Sequence, residues 1–142
     1  MSCQQELASA IRDAEKLHGH LGPFLVIGVR MGRIARRILG AGEDDKLRAY
    51  ARIPVFTPFS CILDGIQVTT GCTVGNQRLS VKKSKDILVR FEIEQGRAIS
   101  VCVNRDAVEK LMDKISEGAT NEELARKIAR MPEHRLFSVE KR

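Results

Sequence analysis

The sequence lacks tryptophan, and aromatic residues make up only 4% of its 142 residues. Its core must therefore be mainly aliphatic. The longest uninterrupted apolar run covers residues 24–27, with Gly28 and Val29 behind it, whereas a bilayer-spanning helix needs about 20 apolar residues. The first residues also lack the basic and apolar segments of a secretory signal. These absences predict a cytoplasmic protein with no membrane partner.

The chain has four cysteines, and no pair of them forms a CxxC motif. In the cytoplasm, cysteines are more often reduced, metal-bound or catalytic than disulfide-bonded. The length suffices for an apolar core without disulfides. Residues 1–142 are therefore predicted to form a single domain whose cysteines serve chemistry or packing.

Positive charge is in excess, at a formal net charge of +6, which raises the question of a nucleic-acid partner. The basic residues form two clusters, at 30–37 and 82–85, and acidic residues are interspersed almost everywhere else. Few aromatic side chains are available to stack on bases. Nucleic-acid binding is therefore not expected.

Hydrophobic periodicity predicts alternating helices and strands. Helices are predicted at 4–17, Pro23–Leu39, Cys61–Thr70, from Arg105 to a stop at Gly118, and from Thr120 to Arg130; strands are predicted at Leu47–Ile53, around 79–81, at 87–93 and at 99–103, with a final strand or extended arm at 134–139. A turn is predicted at Gln95 and Gly96. The predicted fold is α+β, with a mixed or antiparallel sheet that contains a three-strand meander and with helices packed on it.

The segment 61–76 concentrates reactive groups. Ser60 is a suitable N-cap for its helix, which places Cys61 in the first turn, where the helix dipole favours a thiolate. Cys61 is thus a candidate nucleophile or metal ligand. Asp64 and Gln67 can share its helix face and are further catalytic candidates. The alternative is that Cys61 is simply a small buried hydrophobic residue.

Cys72 follows the helix in a glycine-containing loop, 71–75, whose backbone N–H groups could face an anion or a substrate. A straight helix from Cys61 to Thr70 separates its ends by about 14 Å. Cys61 and Cys72 of one copy therefore cannot bind the same ion, because zinc ligands lie only about 2 Å from the metal. The two cysteines belong to different sites, or a second copy of the chain brings them together.

His18 and His20 precede the Gly22-Pro23 start of the second helix. In an extended loop both imidazoles can converge on one object, and a nearby helix N-terminus favours the neutral form that binds metal. A purely structural role is the alternative for each histidine.

The two motifs together resemble the E-subunit family of formylmethanofuran dehydrogenase. They are His18-Gly-His20 with the Gly-Pro helix start, and Cys61-x-x-Asp64-Gly-Ile-Gln67 running on to Thr70-Gly-Cys72-Thr-x-Gly. Many members of that family carry a cysteine where this chain has Gly22. Some also carry a C-terminal zinc ribbon with paired CxxC motifs, which does not follow Arg105 here.

The resemblance implies the core domain of that family, a homodimer, and a zinc or other divalent ion. The predicted metal ligands are His18, His20, Cys61 and Cys72, and the glycine at position 22 leaves a coordination position open. Association with a larger molybdenum or tungsten oxidoreductase is a further implication. Two alternatives stay open: a metal-independent enzyme that uses Cys61 as nucleophile with His18 or His20 as base, and a non-catalytic interaction subunit.

Overall fold

A computed structural model describes residues 2–94 and 96–141. In order along the chain, these residues form α1 (Cys3–His18), α2 (Pro23–Leu39), β1 (Leu47–Ile53), α3 (Cys61–Thr70), β2 (Leu79–Lys83), β3 (Leu88–Ile93), β4 (Ala98–Val103), α4 (Arg105–Ser116), α5 (Asn121–Arg130), α6 (Glu133–Leu136) and β5 (Phe137–Lys141). The α+β class is confirmed. Among the described residues, no helix combines the length and apolar character needed to span a bilayer.

The five strands form one mixed sheet in the order β2-β1-β3-β4-β5. The pair β1–β2 is parallel, and the pairs β1–β3, β3–β4 and β4–β5 are antiparallel. The predicted meander of three consecutive strands, β2, β3 and β4, is wrong at its first member, because β1 lies between β2 and β3. The mixed sheet itself was predicted correctly.

The chain order of β1, α3 and β2 explains that error. A strand followed by a helix returns to its sheet parallel to the first strand, whereas a meander needs tight hairpin connections. After β2, a four-residue link carries the chain past the end of β1, and the N–H of Ser84 donates to the carbonyl of Ile53 at 3.0 Å. β2 is thereby an edge strand, and Leu79 is its buried residue.

The core lies between the sheet and the helices, with α2 at its centre. Twelve of the seventeen residues of α2 are buried. This helix contacts β3 and β4 on one side and α1, α3 and α5 on the others. The alternating burial of β1 leaves Leu47, Ala49, Ala51 and Ile53 on the same core. Because α2 is packed against these elements, the position of its N-terminus, which follows His18 and His20, is fixed.

α2 and α3 approach so closely that only glycine fits at the crossing. A Cβ atom built on Gly28 would overlap the carbonyl group of Ile62, and one built on Gly65 would lie 2.5 Å from both the Leu25 carbonyl oxygen and the Val29 nitrogen. Real Cβ atoms do not approach backbone atoms this closely. The two glycines therefore set the distance between the helix that begins after the histidines and the helix that carries Cys61.

Most predicted boundaries agree with the structure, including Pro23–Leu39, Leu47–Ile53 and Cys61–Thr70. Three local predictions need comment. Ser60 occupies the N-cap position of α3, as predicted, but its backbone angles are helical and its side chain makes no capping bond. The segment predicted as a final strand or arm from His134 begins with the short helix α6, and the strand starts only at Phe137. The predicted turn at Gln95 and Gly96 falls in part on Gln95, which lies outside the described residues.

Candidate metal centre

His18, His20 and Cys61 form one cluster. One potential ligand atom from each residue lies within 4.8 Å of the other two. Cys61 is buried at 8% relative exposure, His18 is half-buried and His20 is exposed. The sequence places Cys61 more than forty residues from the histidines, and the fold brings them together. Such a group of two imidazoles and one thiol can hold a metal ion.

Gly19 makes the histidine pair possible. It ends α1 in the left-handed conformation, with φ 101°, and its N–H donates to the carbonyl of Glu15. This conformation favours glycine, and it reverses the chain directly after His18. His20 then returns beside His18, with ring centroids 4.4 Å apart. The prediction that both histidines lie in an extended loop is therefore wrong for His18, which is the last residue of α1.

A chain of hydrogen bonds fixes the orientation of His18. Nδ1 of His18 lies 2.6 Å from Oδ2 of Asp64, and Oδ1 of Asp64 accepts from Nε2 of Gln67 at 2.9 Å. The other ring nitrogen, Nε2 of His18, is buried and has no hydrogen-bond partner among the described residues. Buried polar atoms rarely lack a partner. In metal-bound histidines, one imidazole nitrogen commonly donates to a carboxylate and the other binds the metal. His18 has the carboxylate on one nitrogen and leaves the other available for a metal.

The pKa of the Cys61 thiol is raised, whereas the sequence predicted a thiolate favoured by the helix dipole. Burial raises the pKa of its thiol, and the negative charge of Asp64 raises it further, while a backbone hydrogen bond acts in the opposite direction. The prediction that the helix dipole favours a thiolate is therefore wrong for the protein without a bound cation, because desolvation is the larger effect. Cys61 is a neutral thiol unless a positive charge is placed beside it.

The cluster opens into a pocket of about 200 Å³. Its remaining wall is mostly apolar and includes Pro23, Phe24, Pro58 and Ile115. The wall also carries the polar side chains of Thr57 and Asn121. Ile115 lies in the last turn of α4 and Asn121 is the first residue of α5. Their place in the pocket was not predicted, since neither belongs to a motif with recognisable chemistry.

Cys72 lies apart from this cluster. It is fully buried, and its Sγ is 3.1 Å from the carbonyl oxygen of Leu47, to which it donates. Burial raises the pKa of this thiol as well. The structure therefore does not bring Cys72 to the ligand atoms of His18, His20 and Cys61 within one chain. None of the four cysteines, all of which lie in the described residues, forms a disulfide.

Three N–H groups of the glycine-containing loop after α3, those of Gly71, Cys72 and Thr73, are bonded within the chain. The side-chain oxygen of Asn76 accepts from the N–H groups of Thr73 and Arg78, and the Asn76 amide donates to the Gly71 carbonyl. The N–H of Gln77 donates to the carbonyl of Val74. Since these N–H groups are already bonded and the loop lies at the far end of α3 from Cys61, it is not the predicted anion-binding element of a Cys61 site.

The α+β fold and the His–Cys pocket define a protein with a candidate metal centre on a layered scaffold. Residues 17–139 match the family described as "FmdE, Molybdenum formylmethanofuran dehydrogenase operon". The chain belongs to the FmdE family, which confirms the family predicted from the two motifs.

Two individual proteins illustrate the relationship. A "Probable S-adenosyl-L-methionine-binding protein" of Archaeoglobus fulgidus is 34% identical over 113 residues, which cover 78% of this chain and 31% of that protein. The chain thus spans about a third of the length of this relative. The crystal structure of a tungsten formylmethanofuran dehydrogenase FmdE-like protein from Syntrophus aciditrophicus superposes with a TM-score of 0.66 at 21% identity, covering 98% of this chain and 71% of the other. That likeness shows the same fold.

Proposed function

We propose that this chain is a metal-binding protein of the FmdE family that holds a divalent ion, most naturally zinc, through His18, His20 and Cys61. The observation that carries the proposal is the state of His18. Its Nδ1 is anchored by Asp64, while its buried Nε2 has no partner among the described residues, and His18 as a residue belongs to the same cluster as Cys61. An ion bound there would satisfy the free nitrogen.

The donor set suits zinc, since imidazole nitrogen and thiolate sulfur are its usual protein ligands. Three protein ligands leave one position of a tetrahedral ion for water or a substrate. A bound ion in such a site supplies Lewis acidity to a carbonyl or water oxygen. The chain itself contributes the orientation of His18 through Asp64, and an apolar wall that includes Phe24 and Ile115 and limits the access of water.

Elemental analysis tests the proposal directly. Protein purified without chelator is expected to carry about one zinc or other divalent ion per chain, and His20→Ala and Cys61→Ser are expected to lose it. Cys102→Ser is the matched control, because Cys102 is also partly buried but lies in β4 outside the cluster. Metal-free wild-type protein that fails to take up added zinc would refute the proposal, as would equal loss of metal from the Cys102 variant.

The second candidate is a metal-independent enzyme in which Cys61 attacks a carbonyl and His18 or His20 acts as base. The short separation between the thiol and the imidazoles favours it. The raised pKa of Cys61 speaks against it, because a protonated thiol is a poor nucleophile. The rate of alkylation of metal-free protein against pH separates the two: a depressed apparent pKa would support the enzyme, and a raised one would support the metal site.

The third part of the proposal concerns the complexes that this chain forms with other proteins and with itself. The family description refers to a formylmethanofuran dehydrogenase operon, which supports a role as an accessory or interaction subunit of a larger molybdenum or tungsten oxidoreductase. A homodimer is also proposed. Light scattering on the purified chain tests the dimer, which a monomeric mass across the accessible concentrations would refute. Co-purification with the tagged chain from its native host tests the larger complex.

A further inference from the structure

A second cavity, of about 530 Å³, lies between α4 and α5 and shares no lining residue with the metal pocket among the residues that the structure describes. Its size falls within the usual range of ligand-binding clefts. One wall is a single face of α4, which carries Lys110 and Lys114 four residues apart, and the opposite wall is the face of α5 that carries Lys127. Arg135 of α6 closes the groove at one end.

The groove is strongly basic. Lys110, Lys114, Lys127 and Arg135 line it, and of the described lining residues Asp106 alone is acidic. In the part of the chain that the structure describes, the charged groups of Lys110, Lys127 and Arg135 form no ion pair, and Lys114 reaches Glu117 only at 3.9 Å. Four cationic groups thus face one cleft with little internal compensation.

Beneath these cations the groove is apolar. Leu111, Leu124, Ile128 and Met131 form its floor. Leu111 is the buried residue of α4, and Ala107, Val108, Met112 and Ile115 of the same helix pack partly buried against the core. A ligand that fits both features needs an apolar face and several negative charges.

The arginine cluster of α2 shows that basic residues elsewhere are used differently. Arg36 donates to the carbonyls of Thr69, Thr70 and Gly42, and Arg30 donates to the carbonyls of Ile128 and Met131. Arg36 thus caps the C-terminal end of α3, and Arg30 caps that of α5. Within residues 2–94 and 96–141, the lysines of the α4–α5 groove have no such carbonyl partners and are available to an external ligand.

We propose that the α4–α5 groove binds an acidic amphipathic segment of a partner protein, with apolar side chains on its floor and carboxylates against its lysines. Helix-in-groove recognition uses this combination. A nucleic acid fits less well, because the described lining residues include no Phe, Tyr or Trp to stack on bases.

A synthetic probe tests this proposal on the full chain. The probe is a fluorescently labelled peptide of two Leu-Glu-Glu-Leu-Glu-Ala-Leu heptads, whose binding is followed by anisotropy. We expect Lys110→Glu/Lys127→Glu to weaken binding at least about tenfold, because like charges then face the peptide. The matched control is Lys82→Glu/Lys83→Glu on the exposed edge strand β2, which changes the net charge equally and should alter the dissociation constant less than about twofold.

Three further measurements complete the test. Lys110→Gln/Lys127→Gln removes the cations without adding acids and covers the case in which the charge reversal disturbs folding. A peptide with serine in place of leucine should bind much more weakly if the apolar floor takes part.

No binding of the first peptide, or equal weakening by the β2 variant, would overturn the proposal. An oligothymidine that binds more tightly than the peptide and shows the same dependence on Lys110 and Lys127 would assign the groove to nucleic acid instead.

Discussion

Oδ2 of Asp64 lies 2.6 Å from Nδ1 of His18, although the two residues are 46 positions apart in the chain. The contact joins the end of α1 to the first turns of α3. A carboxylate acceptor keeps the imidazole proton on Nδ1 and leaves the lone pair of Nε2 free. Asp64 therefore acts as a positioning residue for the ligand atom of His18, and Gln67 positions Asp64 in turn.

The first prediction concerns this contact. Asp64→Asn should weaken zinc affinity about 10- to 100-fold, because the amide no longer holds the imidazole in the ligating tautomer. Competition against a chromophoric chelator measures the change. Asp86→Asn is the control, since Asp86 is an exposed carboxylate paired with Arg105. Affinities that change equally in the two variants would contradict a positioning role for Asp64.

The second prediction concerns pH. Burial, reinforced by the charge of Asp64, raises the pKa of Cys61, so the thiol stays protonated at neutral pH. A metal ion binds the thiolate and must displace this proton. Affinity should therefore rise with pH, by about tenfold per unit between roughly pH 7 and 9, because one proton leaves the thiol for each ion bound. It should level off once the pH exceeds the raised pKa. A flat profile over this range would show that the thiol is not a ligand.

Local patterns predicted most of the elements because their signals are local. Gly22-Pro23 and Gly40 bracket α2, and the alternation of Leu47–Ile53 marks β1. The strand order was harder to predict from the sequence, since it depends on how α3 crosses between β1 and β2 rather than on any single residue. The meander prediction failed at that point.

The candidate site, too, was predicted from the sequence only in part. The motifs predicted His18, His20 and Cys61 as ligands, and the fold brings these three together. The length of α3 predicted that Cys72 lies apart from Cys61 within one copy, and the fold adds that Cys72 donates to the Leu47 carbonyl. The helix-dipole argument for a Cys61 thiolate failed because it considered the backbone and not the burial of the side chain. Asn121 carries no local signal, since its place in the pocket arises from where the start of α5 packs.

The third prediction concerns Gly22, which directly precedes the first residue of α2. Gly22 lines the pocket in an extended conformation that any residue adopts, with φ −152° and ψ 167°. A Cβ there would come no closer than 4.0 Å to Asn121. Gly22→Cys should add a fourth ligand and raise zinc affinity at least about tenfold.

Cobalt substitution provides a second readout for the Gly22 variant. An added thiolate should strengthen the sulfur-to-cobalt charge-transfer band relative to wild-type protein. Gly22→Ser is the control, because its hydroxyl is a much poorer ligand for a soft site. If the cysteine and serine variants bind zinc equally well, position 22 does not face the bound ion.

The last prediction concerns the scaffold that holds the ligands together. In an ordinary helix, replacing an interior glycine by alanine stabilises a protein by about 1 kcal/mol. Gly65→Ala should instead destabilise it by about 1–3 kcal/mol, because the new methyl group meets the backbone of Leu25 and Val29, which cannot move aside as a side chain can. Urea denaturation measures the free energy of unfolding.

Gly75→Ala is the matched control for this experiment. A Cβ at Gly75 would have its nearest neighbour at 3.8 Å, in ordinary contact with Thr73. This variant should therefore keep wild-type stability. Gly65→Ala should also weaken zinc binding, since forcing α2 and α3 apart separates the start of α2, which follows the histidines, from Cys61. A Gly65→Ala protein of unchanged or higher stability would mean that the two helices are not in close contact, and the distance between the imidazoles and the thiol would then lose its structural basis.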